Sequence, residues 1–427
     1  MTDDSDRPIS RRTFLKTIAA ASSVLAVPIV SSPTVAHAAI GTVKARATAI
    51  RANIGVILPQ AATNESLNQS FTNGFKLALQ GKRNDVTAAV QLVVRESGVQ
   101  QQQLQATLAD LFATAKPDLI VGLLRSNVTS SIETLLTKQR RCLVATSLSA
   151  TVPNTATPPS WSIDFALPYW QSAWALGQWA AQNMGKRAAI LHSFAESGYD
   201  SAFAFGCGFA AGGGEIVTMT VTHAPTSTTK LAETLETVAA TQPDVVYLGY
   251  TGELAAEMLT AVPRSGLRGL PVCGTGAMVE GAALNRLGNG ALGLRTATVW
   301  DVNATDKTST NFVRAYQNAT RTSPDHWSLL GFEIASLITV VAQSLGNDWQ
   351  DPAMVRTTLL NAQIESPRGL VGPQTSASTF VIREVRQNRK GLVTASIANV
   401  NATPLADPQI AALQTSLRSG CSLPYLG

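Results

Sequence analysis

The sequence predicts an α/β protein built as two doubly wound parallel-sheet lobes. Three observations carry that reading. From Asn53 onward, short apolar runs alternate with helix-period stretches of about ten to fifteen residues, the rhythm of βαβ units. The apolar runs are continuous rather than alternating, as at residues 119–122 and 245–249, which suits strands covered on both faces. The alternation also comes in two groups, separated by the Pro-, Thr- and Asn-rich stretch 151–160.

Residues 1–38 read as an export signal rather than as part of either lobe. Ser10-Arg11-Arg12-Thr13-Phe14-Leu15-Lys16 resembles the twin-arginine motif, and Ala36-His37-Ala38 is an A-x-A cleavage site. The apolar run between them, 17–30, is too short and too rich in Ala and Ser for a stable membrane span. No Cys follows the cleavage site to take a lipid anchor. The expected mature chain is soluble in the periplasm, reached already folded through the twin-arginine translocase.

The first group opens with a strand at 54–58, ended by Pro59. A helix at 70–80 turns Phe71, Phe75, Leu77 and Ala78 toward a core, and a strand at 90–95 and a helix at 100–114 follow. Residues 117–136, PDLIVGLLRSNVTSSIETLL, are the stretch around which the lobe is organised. They predict a buried strand at 119–122, a polar loop at 123–127 and a helix from about Val128, with Ser126 and Asn127 at its N-cap. Such a junction faces out from the carboxyl edge of a sheet. It offers hydroxyls, free backbone N–H groups and the positive end of a helix dipole to a small polar or anionic ligand. A strand at 143–146 then opens into Ser147-Leu148-Ser149-Ala150-Thr151.

The second group begins with a helix at 171–184. Strands follow at 188–192, 215–221, 245–249 and 270–274, with helices at 199–211, 230–241 and 253–262 between them. The chain then returns to the first lobe, with a strand at 294–300 and helices at 308–320, 325–345 and 352–361, the last capped by Asp351. Strands at 379–386 and 391–398 have the β-branched alternation of an antiparallel hairpin.

Composition bounds the function. The residues after the signal suffice for two domains of ordinary size. The chain is 45% hydrophobic and 14% charged, and no later run of eighteen uninterrupted apolar residues predicts a transmembrane helix. The net charge is only +5, with no Lys/Arg cluster interleaved with aromatics, which speaks against nucleic acid as a partner. Cysteines at 142, 207, 273 and 421 show no C-x-x-C spacing and no His pattern, so no metal site is expected. Disulfides Cys207–Cys273 and Cys142–Cys421 stand beside buried free thiols as open alternatives.

Several stretches in order resemble the type I periplasmic binding proteins of the leucine/isoleucine/valine-binding kind. IGVILPQAATNESLNQSFTNGFKLAL is similar to that family's opening, PDLIVGLLRSNVTSS to its strand, Gly and ligand-binding Ser, and SLSATVP to its S-P-S-A-T-x-P loop with Leu148 for the Pro. KRAAILHSFAESGYDSAF resembles its strand and Tyr-Gly turn, with Asp200 in place of the Gly, and PDVVYLGYTGE the segment with its second aromatic contact. The likeness spans roughly residues 50–400. It implies two lobes joined by three crossovers that close on a ligand as a Venus-flytrap: lobe 1 from 50–165 and 297–372, lobe 2 from 166–296 and 373–400, and a tail at 401–427.

Carried over by position, Ser126 would hydrogen-bond a carboxylate or amide, Ser149 and Thr151 would hold the ligand through hydroxyl and backbone groups, and Tyr199 and Tyr250 would close over it. Each has a plainer reading as a cap, turn former or core residue. The resemblance also implies an acidic residue after the strand at 270–274 to pair with a ligand ammonium. This chain has Gly274-Thr275-Gly276-Ala277 there, which leaves Thr275 at the cleft and only Glu253 or Glu280 as substitutes. Arg125, beside Ser126, is placed either to grip a carboxylate or to sit on the cleft rim. Trp161, Phe165, Tyr169, Trp170 and Trp174 lie around the first crossover, in the core or facing a flat ligand.

The expected protein is a monomeric, cofactor-free substrate-binding component of an ABC importer. It delivers a small organic acid, amide or amino-acid-like solute to an inner-membrane permease. The alternatives are a sensor that presents its ligand state to a membrane receptor, and a periplasmic enzyme on the same scaffold. The chain has no G-x-S-x-G elbow and no Walker A sequence, and its glycines at 206–214 fall within and after a helix, so an enzyme is not expected.

Overall fold

Two open sheets organise the chain. The structure, a computed structural model, describes residues 52–401 except 81–89, 99, 125, 147, 150–151, 153–159, 195–199, 223–227, 282, 347, 376–378 and 390. In the first sheet β1 (Ala52–Pro59), β2 (Val90–Ser97), β3 (Leu119–Leu123), β4 (Cys142–Thr146) and β6 (Ser162–Asp164) lie in the order β2-β1-β3-β4-β6, all parallel. Helices α1 (Ala61–Leu79), α2 (Gln101–Thr114) and α3 (Ser126–Gln139) connect them. The two-residue strands β5 (Leu148–Ser149) and β7 (Leu167–Pro168) pair at the first crossover.

The second sheet has the order β16-β15-β12-β11-β10-β8-β9. Its parallel part is β8 (Arg187–Ser193), β9 (Glu215–Thr222), β10 (Val245–Gly249), β11 (Val272–Gly274) and β12 (Arg295–Thr298). Helices α4 (Tyr169–Asn183), α5 (Ser201–Ala211), α6 (Thr228–Ala239) and α7 (Gly252–Ala261) flank it. After β12 come α8 (Lys307–Thr320), α9 (His326–Leu345), α10 (Pro352–Asn361) and the small pair β13 (Ile364–Ser366) and β14 (Gly369–Val371). The chain then returns as β15 (Thr379–Asn388) and β16 (Gly391–Asn401), an antiparallel hairpin on the edge of the second sheet. It therefore passes between the lobes three times: after β6, after β12 and after β14.

Each sheet is covered on both faces, which is why its strands read as unbroken apolar runs. On the first, Phe71 and Phe75 of α1 pack with Leu329, Ile334 and Ile338 of α9. The opposite face takes Leu104, Leu108 and Leu111 of α2 and Ile132 and Leu136 of α3. On the second, Phe205 of α5 stacks on Tyr247 of β10 at 4.3 Å between ring centroids, while α6 and α7 supply Leu235, Met258 and Leu259 to the other face. Helix α9 is long and apolar enough to cross a membrane by length and composition. It lies instead in the first-lobe core, with thirteen of its twenty residues buried.

Several expectations shift. Helix α1 starts at Ala61, ahead of the expected residue 70, with a non-helical Asn64 near its start. Its first nine residues are mostly polar and partly exposed, so no apolar period marks them. Helix α3 begins at Ser126, which places Ser126 in the first turn rather than at the cap. The strand expected at 294–300 pairs with β11 and β15, so it belongs to the second sheet and the return to the first lobe comes after it. Neither candidate disulfide forms: Cys142, Cys207 and Cys273 are buried free thiols. Cys273 faces Met184 sulfur to sulfur at 3.6 Å. Cys421 lies outside the described residues. Trp170 and Trp174 are buried in the second-lobe core, and Phe165 and Tyr169 in the first.

Candidate functional site

The loops at the carboxyl ends of the two sheets meet. Val152, three residues beyond the end of β5, donates its backbone N–H to Asp200 Oδ2 at 2.7 Å. Asp200 follows β8 and precedes α5, and Val152 itself is buried among second-lobe core residues. This contact spans the gap between lobes and brings the two carboxyl edges together, where open α/β sheets hold their ligands.

Each edge also carries a buried polar side-chain atom. Thr146 Oγ1, on the last residue of β4, and His192 Nδ1, at the penultimate position of β8, are both buried and have no hydrogen-bond partner among the described residues. Buried polar groups are nearly always satisfied, so two such atoms at opposing strand ends call for an explanation in terms of a ligand or its waters. Burial lowers the His192 pKa, which favours the neutral ring.

The chain around the described members of the expected ligand set, Ser126, Ser149, Tyr250 and Thr275, lies along these edges. Leu124 donates its N–H to Thr146 O at 3.1 Å, which puts the chain entering Arg125 and Ser126 beside the chain leaving β4 toward Ser149. On the other lobe, Thr275 N–H donates to Leu248 O at 3.2 Å, beside the strand end leading to Tyr250. Tyr250 is almost wholly buried, and its hydroxyl lies 3.0 Å from Thr222 Oγ1 at the end of β9. Burial pushes its phenol up to about 12. Thr275 is largely buried, and its carbonyl accepts from Met278 N at 3.1 Å. Arg125, Thr151 and Tyr199 lie outside the described residues, as do the side chains of Ser126 and Ser149.

Two acids were not singled out as site residues from the sequence. Asp164 ends β6, is exposed and has no hydrogen-bond or ion-pair partner among the described residues; the protein packed around it pushes its carboxyl up to about 6. Burial likewise outweighs the Val152 N–H and pushes the Asp200 carboxyl up to about 6. In sequence Asp164 is a lone acid in a largely apolar run and Asp200 an acid in a loop, and only the tertiary structure reveals where they sit.

A second cluster joins the lobes beside the crossovers. Glu280, after β11, places Oε2 2.7 Å from His326 Nδ1 and Oε1 2.7 Å from Arg383 Nη2. The Tyr169 hydroxyl lies 2.6 Å from the same His326 nitrogen, and His326 Nε2 lies 2.9 Å from Thr298 Oγ1. Burial disfavours the Glu280 charge, yet His326 and Arg383 outweigh it and hold the carboxyl down at about 2. Glu280 is therefore committed to His326 and Arg383, which removes it as a substitute partner for a ligand ammonium. Glu253 is exposed in the first turn of α7. A cavity of about 1180 Å³ opens beside this cluster, lined among others by Ser70, Asn73, Asp325 and Arg383. No group of His, Cys, Asp and Glu able to hold a metal occurs among the described residues.

Two doubly wound lobes, three passages of chain between them and a polar gap at their carboxyl edges define a solute-binding protein of the hinged, two-lobed class. The chain belongs to the periplasmic binding protein family, which it matches over residues 52–394. Solved structures of similar fold include an ABC transporter substrate-binding protein from Sphaerobacter thermophilus, 20% identical with a TM-score of 0.73, covering 82% of this chain and 98% of that one. A solute-binding protein from Rhodopseudomonas palustris BisB5, in complex with 3,4-dihydroxybenzoic acid, is 22% identical with a TM-score of 0.69, covering 84% and 99%. A branched-chain amino acid ABC transporter periplasmic ligand-binding protein from Burkholderia xenovorans LB400 is 16% identical with a TM-score of 0.67, covering 84% and 97%. None of the curated proteins matches the chain.

Proposed function

We propose that this protein is the exported substrate-binding component of an ABC importer and holds a small organic acid or amide between its lobes. The observation that carries this reading is the pair of buried polar atoms without a partner among the described residues, Thr146 Oγ1 and His192 Nδ1, on strand ends that face one gap. Arg125 and Ser126 at the start of α3 take the ligand's carboxylate or amide, with the helix dipole in support. Ser149 and Thr151 add hydroxyl and backbone groups. Tyr199, Tyr250 and Thr275 close from the second lobe, Tyr250 as a buried wall rather than a free hydroxyl. The lobes divide as 50–165 with 299–372 and 166–298 with 373–400, because β12 (Arg295–Thr298) pairs into the second sheet.

The absence of a carboxylate at Gly274-Thr275-Gly276-Ala277, together with the commitment of Glu280, favours an acid or amide over a free amino acid. Binding of benzoate by one structural neighbour and of hydroxybenzoates by others is in keeping with this choice. The twin-arginine motif takes the folded monomer to the periplasm, where the loaded form docks on an inner-membrane permease.

A thermal-shift screen of the mature protein tests the reading. A ligand at a hundred times its Kd adds about 2.7 kcal/mol of stability, a visible rise in Tm. Carboxylates and amides are expected to raise Tm, and leucine and valine are not. A rise with leucine equal to that with the matched acid lacking the amine would overturn the choice of ligand class.

A further inference from the structure

We infer that Asp164 is the specificity-determining residue that accepts a hydrogen bond from a second polar group, hydroxyl or amino, on the bound acid. This rests on the cleft reading above and deepens it: the solute has two polar ends, one held at the start of α3 and the other at Asp164.

The placement follows from strand register. β6 is the edge strand of the first sheet, and Asp164, its last residue, pairs with Ala145 on β4. The next N–H, of Phe165, donates to Ala145 O at 2.9 Å. Asp164 is therefore level with the end of β4, one residue before Thr146 and beside the loop to Ser149 and Thr151. The face is settled by alternation. Ser162, two residues earlier, donates its hydroxyl to Glu133 on α3 at 2.9 Å. Asp164 shares that face. A helix linking parallel strands runs back along them, so the step from Ser162 to Asp164 leads from Glu133 toward the N-terminal turns of α3, where the acid is proposed to bind.

The chemistry distinguishes Asp164 from the enclosed acids. Glu133 accepts from Trp161 N–H and Ser162, Asp200 from Val152, Glu280 from Arg383, and Glu333 from Arg368. Asp164 accepts from no described residue. Water reaches it, yet the surrounding protein pushes its carboxyl up to about 6. Asp164 is exposed at the end of the edge strand, and no described residue claims its lone pairs. A hydroxyl or amino group of a solute at that strand end supplies the donor. A bond to a charged acceptor is worth roughly ten- to a hundredfold in affinity.

The test is calorimetric titration of the mature protein and Asp164→Ala with matched acids. One set is benzoate, 4-hydroxybenzoate and 4-aminobenzoate; the other is butyrate, 4-hydroxybutyrate and 4-aminobutyrate. The expected result is that one substituted acid binds the wild type about tenfold or more tighter than its parent, and that Asp164→Ala brings the Kd values of that acid and its parent together. Which substituent is preferred separates a hydroxyl from an amine. A preference that survives Asp164→Ala, or no preference in the wild type, overturns the role of Asp164 and leaves the cleft standing. Equal weakening of all acids by the substitution also overturns it. Binding of none of the six overturns the cleft reading itself, and this inference with it.

Discussion

At the scale of single residues, the two kinds of acid in this protein respond to pH in opposite directions. Glu280 has a folded pKa held below its ordinary value by His326 and Arg383. Its contribution to stability is present above about pH 4.5 and is lost as pH falls toward 2. Glu280→Gln is expected to lower stability by about 3–5 kcal/mol at neutral pH, the usual consequence of breaking a buried charge pair. Calorimetric scans from pH 5 to 2 should show the gap between wild type and variant closing. Asp164 is raised, so its folded form holds the proton more firmly than the unfolded chain does. Its ionisation weakens the fold as pH rises from about 4 through 6. Asp164→Asn should therefore raise Tm at pH 7.5 and leave it unchanged at pH 3.5. Unequal Tm values at pH 3.5 would mean that the Asn acts by packing instead.

At the scale of elements, both lobes use glycine to bring two helices into contact. In the first, a Cβ on Gly74 of α1 would collide with the Ser328 carbonyl oxygen of α9, and one on Gly331 with that of Phe71. In the second, Gly177 of α4 and Gly208 of α5 meet the carbonyls of Phe205 and Trp174 in the same way. The obstructing atoms are backbone, so the helices must separate. Gly331→Ala and Gly208→Ala should each cost about 1–3 kcal/mol, read as a fall in the denaturant midpoint at constant m-value. Helix α9 also depends on its cap. Asp325 Oδ1 accepts from Ser328 N at 2.8 Å, and Ser328 Oγ accepts from Asp325 N at 2.8 Å. The residue after that cap is His326, so Asp325→Ala should cost about 1 kcal/mol and also loosen the cluster around Glu280.

At the scale of the whole molecule, the contacts that hold the lobes in this arrangement include Val152 with Asp200 where the carboxyl edges meet, His326 with Glu280 beside the crossovers, and Asp301 with Ser396. A hinged protein is a population of arrangements, and a contact made in only one of them biases the balance. His326→Ala should shift the population away from the arrangement described, seen as a larger radius of gyration by small-angle scattering without ligand. It should weaken binding of any solute gripped by both lobes. An unchanged radius together with unchanged affinity would show that the cluster stabilises the fold without influencing closure.

Much of this was legible before the structure, and the limit has a physical cause. Strand runs such as those at β3, β4 and β10 are dictated locally: a strand covered on both faces must be apolar throughout, and a helix must repeat its apolar face. The caps of α9 and α10 are local too, because Asp325 and Asp351 reach backbone only two or three residues away. The junction before α3 is local as well, because a polar loop between a buried strand and a helix is marked by its own residues. Pairing is not local. Whether the strand before Thr298 joins the first sheet or the second depends on β15, more than eighty residues on. The Glu280 cluster draws on Tyr169, Thr298, His326 and Arg383, which no spacing rule connects. Asp164 reads as an ordinary polar residue until β6 is set against β4. The sequence by itself determined the two-lobed α/β class and which loops stand at the carboxyl ends of the strands. Only the tertiary structure decided which acids are already spoken for and which one is left open, because hydrogen-bond satisfaction is a property of neighbours in space.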